Sequence, residues 1–374
     1  MSKNRQAGKR APARPNKKKS AAGAVGRGIA RLLLIVLETV LLAGLAFYAV
    51  LYIVTNGPSI TAREQFTLSL HETSALKWLP GWFLPEEEIA RISEIETKRS
   101  ELEYAETDTS LVVINTAPKG GAATGPAEDP WGLVDDDGDG IILEQVRGEG
   151  FYGYMLVVLD PSRVIMGSVP SSFERRGYTV AEFVEHFDAV AAINAGGFLD
   201  AGGRGNGATP DSMVVFDGKI YYSQFGLGVY NCFVGFDGEC KMHVGKLSRD
   251  DVVQKDIRYG VCFGPALVVN GEPADPNGFD NNQNPRTAIG QRSDGAVLML
   301  VIVGRQATST GAGFQDLVDI MLNYGAVNAC NLDGGSSSLL WYDGGYVNNA
   351  AHIVGIREVP TSFVVLKEGV SANG

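Results

Sequence analysis

Histidine and cysteine are scarce in this chain, four of each among 374 residues. His71, His186, His243 and His352 are scattered, and Cys232, Cys240, Cys262 and Cys330 lack the spacing of a metal site. A zinc-type centre built from these residues is therefore excluded. Several catalytic signatures are missing as well. The stretch NLDGGSSS, Asn331–Ser338, offers Gly334-Gly335-Ser336-Ser337-Ser338, which lacks the last glycine of a nucleophile elbow. No lysine follows at the S-x-x-K spacing, because position 341 is Trp, and no lysine is present to make a P-loop. Positive charge is also short beyond residue 54, where 22 Lys or Arg face 42 Asp or Glu, a net of −20. Such a surface repels polyanions, which argues against nucleic acid, and an anionic substrate would need arginines placed locally.

Basic charge is concentrated at the N-terminus, with ten Lys or Arg and no acid between Met1 and Arg31. Leu32–Val54 then runs apolar for 23 residues, broken by Glu38 alone. At 1.5 Å per residue this is about 35 Å, enough for a bilayer core. The basic flank predicts a cytoplasmic N-terminus and an extracytoplasmic remainder, anchored in the cell membrane by a single pass. A cleaved signal peptide is the competing reading, but the run is long for one and no clear small-x-small site follows it. An oxidising compartment permits disulfides. A two-residue turn at Asp237-Gly238 would pair Gly235 with Cys240 and leave Cys232 out of register, so four buried thiols are expected rather than two bridges.

The pattern predicts a basic tail over 1–31, an anchor over 32–54, a juxtamembrane stalk and linker over 55–147, and one strand-rich domain over 148–374. In the stalk, Pro85 opens a helical stretch whose Ile89, Ile92, Ile95 and Leu102 follow helical spacing. Residues 115–130 are rich in Gly, Pro and Ala and read as a linker. VDDDGDGIILEQV places Asp135, Asp137 and Asp139 as in the first half of a calcium loop, but the twelfth position is Val146 instead of a bidentate acid. A solvated acidic turn is the favoured reading. Calcium or another divalent ion at these three acids is the one cofactor candidate.

After Gly148 short strands alternate with turns, and helices are expected near 179–190 and 314–325, the second closed by Gly325. The expected class is α+β, a strand-rich mixed sheet core with a few packed helices. NLDGGSSS lies between two apolar strands, so its glycines expose backbone N–H groups, its serines add donors, and Asp333 shares the same bend. A turn merely capped by Asp333 is the plain alternative. AINAGGFLDAGGRGNG, residues 192–207, ends another strand in a glycine-rich loop. Arg286 starts one strand and Arg305 ends another, positions suited to an anion, although a surface salt bridge is the default for each alone.

The order of INAGGF (193–198), FGPALVVNGE (263–272), RTAIG (286–290), LMLVIVGRQ (298–306) and FQDLVDIMLNYGAVNACNLDGGSSS (314–338) resembles the phosphodiester glycosidase family over about residues 150–366. The family commonly shows G-G-G-S-S where this chain has Gly334-Gly335-Ser336-Ser337. The resemblance implies hydrolysis of a sugar-1-phosphodiester, with a sugar-phosphate or glycopolymer as substrate in cell-surface or exopolysaccharide metabolism. Breaking the anomeric C–O bond expels a phosphate monoester that is already stable as an anion. The site therefore needs donors on the phosphate and a carboxylate at the sugar. On that reading Asp333 is the base or nucleophile, and Arg286 and Arg305 bind phosphate. Asn194, Gly196, Gly197, Phe198, Thr287, Asn331, Gly334, Gly335, Ser336 and Ser337 shape the pocket, with Asp200 a second carboxylate. A non-catalytic glycan-binding scaffold and a glycosyl transferase using the same cleft are the alternatives.

Overall fold

The computed structural model describes residues 21–71, 78–114, 127–173, 175–199, 206–222, 232–274, 282–349 and 355–370. Most of the basic tail, most of the expected linker, Asp200 and His352 lie outside them. The chain divides into two compact units, Met1–Glu86 and Glu87–Gly374.

In the first unit the apolar run forms part of a helix over Ala21–Asn56, longer than the expected 32–54 at both ends. Its segment Arg27–Asn56 is long and apolar enough to cross a membrane, 30 residues or about 45 Å. Leu, Ile and Val side chains along it are exposed, as lipid-facing residues would be. The helix fits a single-pass anchor or a signal sequence. It stops where Gly57 and Pro58 follow, with Gly57 N–H still donating to the Ile53 carbonyl at 2.8 Å.

Among its described residues the second unit holds three large antiparallel sheets and a two-stranded one, Ala127–Glu128 with Val134–Asp135. The largest has seven strands in the order Glu272–Pro273, Ala266–Val269, Ala326–Leu332, Arg286–Arg292, Val297–Ile302, Phe151–Val158 and Ile141–Gly148. A five-stranded sheet runs Gly345–Tyr346, Leu340–Tyr342, Ala189–Asn194, Thr361–Leu366 and Val164–Ser168. The other runs Met242–Gly245, Phe233–Asp237, Ile257–Cys262, Val214–Phe216 and Lys219–Tyr222. With its helices this is the α+β class, although its named strands pair antiparallel throughout instead of forming a mixed sheet.

The seven-stranded sheet explains why its central strands read as unbroken apolar runs. Along Val297–Ile302, Val297, Met299 and Val301 join the core shared with the other sheets, where they meet Ile193, Val234 and Phe363. Leu298, Leu300 and Ile302 point the opposite way, beneath the helix Phe314–Asn323, which contributes Leu317, Val318 and Met321. Both faces are covered, so the alternation of a half-exposed strand is lost. Cutting Leu300, which is fully buried, to Ala should cost about 2–5 kcal/mol.

Turn chemistry fixes the register. Asp217 and Gly218 have φ of 50° and 69°, the positive pair that a two-residue hairpin needs between Val214–Phe216 and Lys219–Tyr222. At Asp237-Gly238 the expectation fails. The turn is longer, and Gly235 pairs with His243 rather than Cys240. The Asp237 carboxylate accepts N–H bonds from Glu239 and Lys241, so an Asx-type loop replaces the tight turn. All four cysteines are thiols, but Cys240 is only half-buried, against the expectation that all four would be buried.

Two boundaries also move. The helix expected over 179–190 covers only Val180–His186, opened by a Thr179–Glu182 capping box and stopped at Asp188, whose φ is 48°. The domain boundary expected at 148 falls inside a hairpin, because Ile141–Gly148 pairs along its whole length with Phe151–Val158. The helix Glu86–Tyr104, expected in the stalk, extends into the second unit, where Ile92 is buried.

Candidate functional site

Three strand ends converge at one edge of the core. Ala189–Asn194 runs into Ala195–Phe198, Ala326–Leu332 runs into Asp333–Ser338, and Arg286 opens the strand beside it, with Thr287 opposite Leu332. The loops are tied together by main-chain bonds. Asp333 N–H donates to the Ala195 carbonyl at 2.9 Å and Gly335 N–H to that of Pro285 at 2.9 Å. A cleft of about 280 Å³ opens over them, lined by Gly197, Phe198, Asp211, Phe263, Arg305, Arg357 and the run Asp333–Ser337.

Asp333 is its chemical centre. Burial pushes its carboxyl up to about 6, while the Ser337 hydroxyl, the charge of Arg357 and the Gly334 N–H favour the ionised form. Asp211 adds a second upward push through charge repulsion. The result is a carboxylate that is ionised at neutral pH yet more basic than an ordinary aspartate.

The residues expected to shape the pocket separate into two groups. Gly197, Phe198, Gly334, Gly335, Ser336 and Ser337 line the cleft together with Arg305 and Asp333. Asn194, Thr287, Asn331 and Gly196 lie behind it as supports. Asn194 is fully buried, and its Nδ2 donates to the Asp333 carbonyl at 2.6 Å while its Oδ1 accepts from Thr287 Oγ1 at 2.8 Å and Leu339 N–H at 3.2 Å. Asn331 Nδ2 donates to the Gly264 carbonyl at 2.8 Å. Gly196 is packed so tightly against Val261 that a side chain would collide with it. These four hold the loop that presents Asp333.

Arg286 takes a different place from the one expected. Its Nε donates to the Ala312 carbonyl at 3.2 Å, its Nη2 donates to that of Asn282 at 2.9 Å, and its guanidinium lies 4.0 Å from the Phe314 ring centroid. Carbonyls and an aromatic face engage the guanidinium, while the Arg286 Cα and Cδ pack against the lining residue Gly334. Arg305 keeps its place. It is exposed, donates to Asn284 Oδ1 at 3.1 Å and sits in the left-handed region at φ 56°, which is costly for a residue with a Cβ. Gly335 lies beside the Arg305 guanidinium at φ 63°, the left-handed region that favours glycine.

Sequence reasoning missed Asp211, Phe263 and Arg357. Arg357 stacks 4.8 Å from the Phe198 ring centroid and donates to Ser336 Oγ at 3.3 Å, supplying a second arginine for an anion. It sits in the unremarkable stretch GIREVP, where no local pattern singles it out. Phe263 opens FGPALVVNGE, a stretch that carried the family resemblance without being singled out for the site. Asp211 follows Pro210 directly after the glycine-rich loop, and a carboxylate beside such a loop was the available signal.

The acidic turn lies apart from this lining. Carboxylate oxygens of Asp135, Asp137 and Asp139 come within 4.8 Å of one another and could hold a cation. Asp135 Oδ1 already accepts from Gly138 N–H at 2.9 Å and Oδ2 from Gly140 N–H at 3.0 Å. Burial and the neighbouring Asp137 and Asp135 raise the pKa of Asp139.

Residues 187–366 match the phosphodiester glycosidase family model. The SPbeta prophage-derived protein YomE of Bacillus subtilis is 33% identical over 179 residues, which make up 46% of this chain and 27% of that protein. The chain thus spans about a quarter of the length of the curated relative it matches. Among solved structures, the catalytic domain of zebrafish N-acetylglucosamine-1-phosphodiester alpha-N-acetylglucosaminidase, auto-inhibited by its pro-peptide, superposes with a TM-score of 0.51 at 19% identity. That match covers 61% of this chain and 82% of that one, and it shows a common fold. The family match supports a glycosidase-type function.

Proposed function

We propose that this protein hydrolyses a sugar-1-phosphodiester by cleaving its anomeric C–O bond, outside the cytoplasm, in cell-surface or exopolysaccharide metabolism. The observation that carries this reading is the pairing of a basic, cleft-facing carboxylate, Asp333, with two arginines, Arg305 and Arg357, in one pocket. Phosphate oxygens would meet the guanidinium groups and the Ser336 hydroxyl, which stabilise the leaving anion electrostatically. Asp333 would meet the cationic anomeric carbon that forms as the bond breaks. Phe198 and Phe263 supply apolar faces against which a sugar ring can lie.

The ten basic residues ahead of the apolar helix support an orientation with the N-terminus in the cytoplasm and the sheet domain outside. A glycan-binding scaffold could use the arginines and glycines, but it has no need of a carboxylate whose basicity is raised by burial. Full-length protein in detergent is expected to release free sugar from a sugar-1-phosphodiester. Binding across a broad panel of such substrates without any turnover would instead establish the scaffold.

A further inference from the structure

The cleft holds a second carboxylate, and the reaction as proposed so far gives it no task. Asp211 is delivered by a short antiparallel clamp in which Phe198 bridges Pro210. Leu199 N–H donates to the Thr209 carbonyl at 2.9 Å, and Asp211 N–H donates to the Gly197 carbonyl at 3.2 Å. Asp333 is fastened to the same segment through its own N–H bond to Ala195. Two carboxylates are thus attached, from separate parts of the chain, to main-chain carbonyls only two residues apart. Such shared fastening fixes their relative placement far better than two independent loops would.

Gly197 makes this arrangement sterically feasible. A Cβ at that position would lie 2.6 Å from Asp211 Oδ2 and 2.9 Å from Phe263 Cε2, so any side chain would force the carboxylate and the ring to shift. The glycine that looked in the sequence like backbone bared for a ligand has a second task, which is to admit Asp211. The surroundings of the two acids also differ. Burial raises the pKa of both, but Asp333 also accepts from the Ser337 hydroxyl and the Gly334 N–H and feels Arg357, whereas at Asp211 burial is opposed by its own backbone N–H. A carboxylate held by donors and a cation suits contact with a developing positive centre. One held without a cation suits taking a proton.

We propose that Asp211 is the general base that activates the hydrolytic water while Asp333 faces the anomeric carbon. This rests on the glycosidase reading above. The water oxygen forms its bond to the anomeric carbon and its proton passes to an Asp211 carboxylate oxygen. The C–O bond to phosphate breaks with its electron pair leaving on the phosphate ester oxygen. If a glycosyl ester of Asp333 forms first, the same proton transfer to Asp211 accompanies water attack on that ester.

The test uses full-length Asp211→Asn and Asp211→Ala on a sugar-1-phosphodiester, with and without sodium azide, which attacks without needing a base. The expected result is a fall in kcat of about 10²–10⁴-fold with KM little changed, and recovery of rate by azide with a glycosyl azide as product. Asp211→Ala gives azide more room and serves as the second variant should Asp211→Asn misfold. Wild-type-like rates and pH profile in either folded variant overturn the assignment, and so does a loss of rate that azide fails to restore. A wild type without turnover on any such substrate overturns the glycosidase reading, and this assignment falls with it.

Discussion

The loop around Asp333 and the turn around Asp135 are made from the same materials, aspartates and glycines beside a strand, yet they use the carboxylate in opposite ways. Asp135 commits both oxygens to N–H groups of its own turn, at Gly138 and Gly140. Asp333 has its main chain held by others, with its N–H on Ala195 and its carbonyl on Asn194, which leaves the carboxylate at the floor of a cleft. The acidic turn has more negative charge, but the Asp333 loop lines the cleft. What separates them is what holds the main chain. At Asp333 distant partners do so, and the carboxylate lines the cleft while accepting from Gly334 N–H and the Ser337 hydroxyl, whereas Asp135 closes its own turn.

The largest effect expected from this contrast is on turnover. Asp333→Asn should lower kcat by about 10³-fold or more while substrate still binds, whereas Asp135→Asn should leave kcat unchanged and lower the melting temperature through its lost N–H acceptor. Comparable losses of rate from both, measured with one substrate, would break the comparison. The arginines sharpen it next. Arg305→Ala and Arg357→Ala should each weaken phosphodiester binding by roughly 10-fold or more, the scale of a hydrogen bond to a charged group, and spare plain glycosides. Arg286→Ala should also lower the melting temperature, because its guanidinium bonds the Ala312 and Asn282 carbonyls and lies against Phe314. A selective loss of phosphodiester binding in Arg286→Ala would return it to the site.

A smaller effect concerns pH. The Asp333 carboxyl titrates near 6, above its value in an unfolded chain, so its contribution to stability is complete below the unfolded pKa and lost as pH rises through about 6. Activity should rise over the same interval, because the ionised form is the reactive one. Asp333→Asn should therefore melt above wild type at pH 8, with the gap closing toward pH 4. A constant gap across that range would remove the strained carboxylate from the account. The smallest effect is expected at the acidic turn, where adding calcium or a chelator should shift the melting temperature slightly and leave kcat unchanged. Chelation that abolishes turnover, with recovery on calcium, would link the turn to the site.

Much of the fold was legible because it rests on local chemistry. The Asp217-Gly218 hairpin, the Gly325 helix stop at φ 81° and the uninterrupted run Val297–Ile302 each follow from a few neighbouring residues. The errors have two sources. The longer turn after Asp237 depends on a carboxylate closing the loop on itself, a local bond that the D-G pair does not reveal, and Ile141–Gly148 counts as an edge strand only because Phe151–Val158 pairs with it. In the site, Asp333, Arg305 and the two glycine loops were legible as unusual residues at strand ends.

The sequence by itself determined the apolar helix, the strand-rich domain and the acid-bearing loop, because hydrophobic period and turn residues act over short range. Tertiary structure alone decided which polar groups share the cleft. It withdrew Arg286 onto carbonyls and Phe314, and it placed Asn194 as a brace. It also brought in Arg357 and Asp211, residues 24 positions after and 122 positions before Asp333 in the chain. The physical reason is that a side chain's chemistry is set by burial, charge and hydrogen-bond partners, and here those come from strands that meet only in the folded chain.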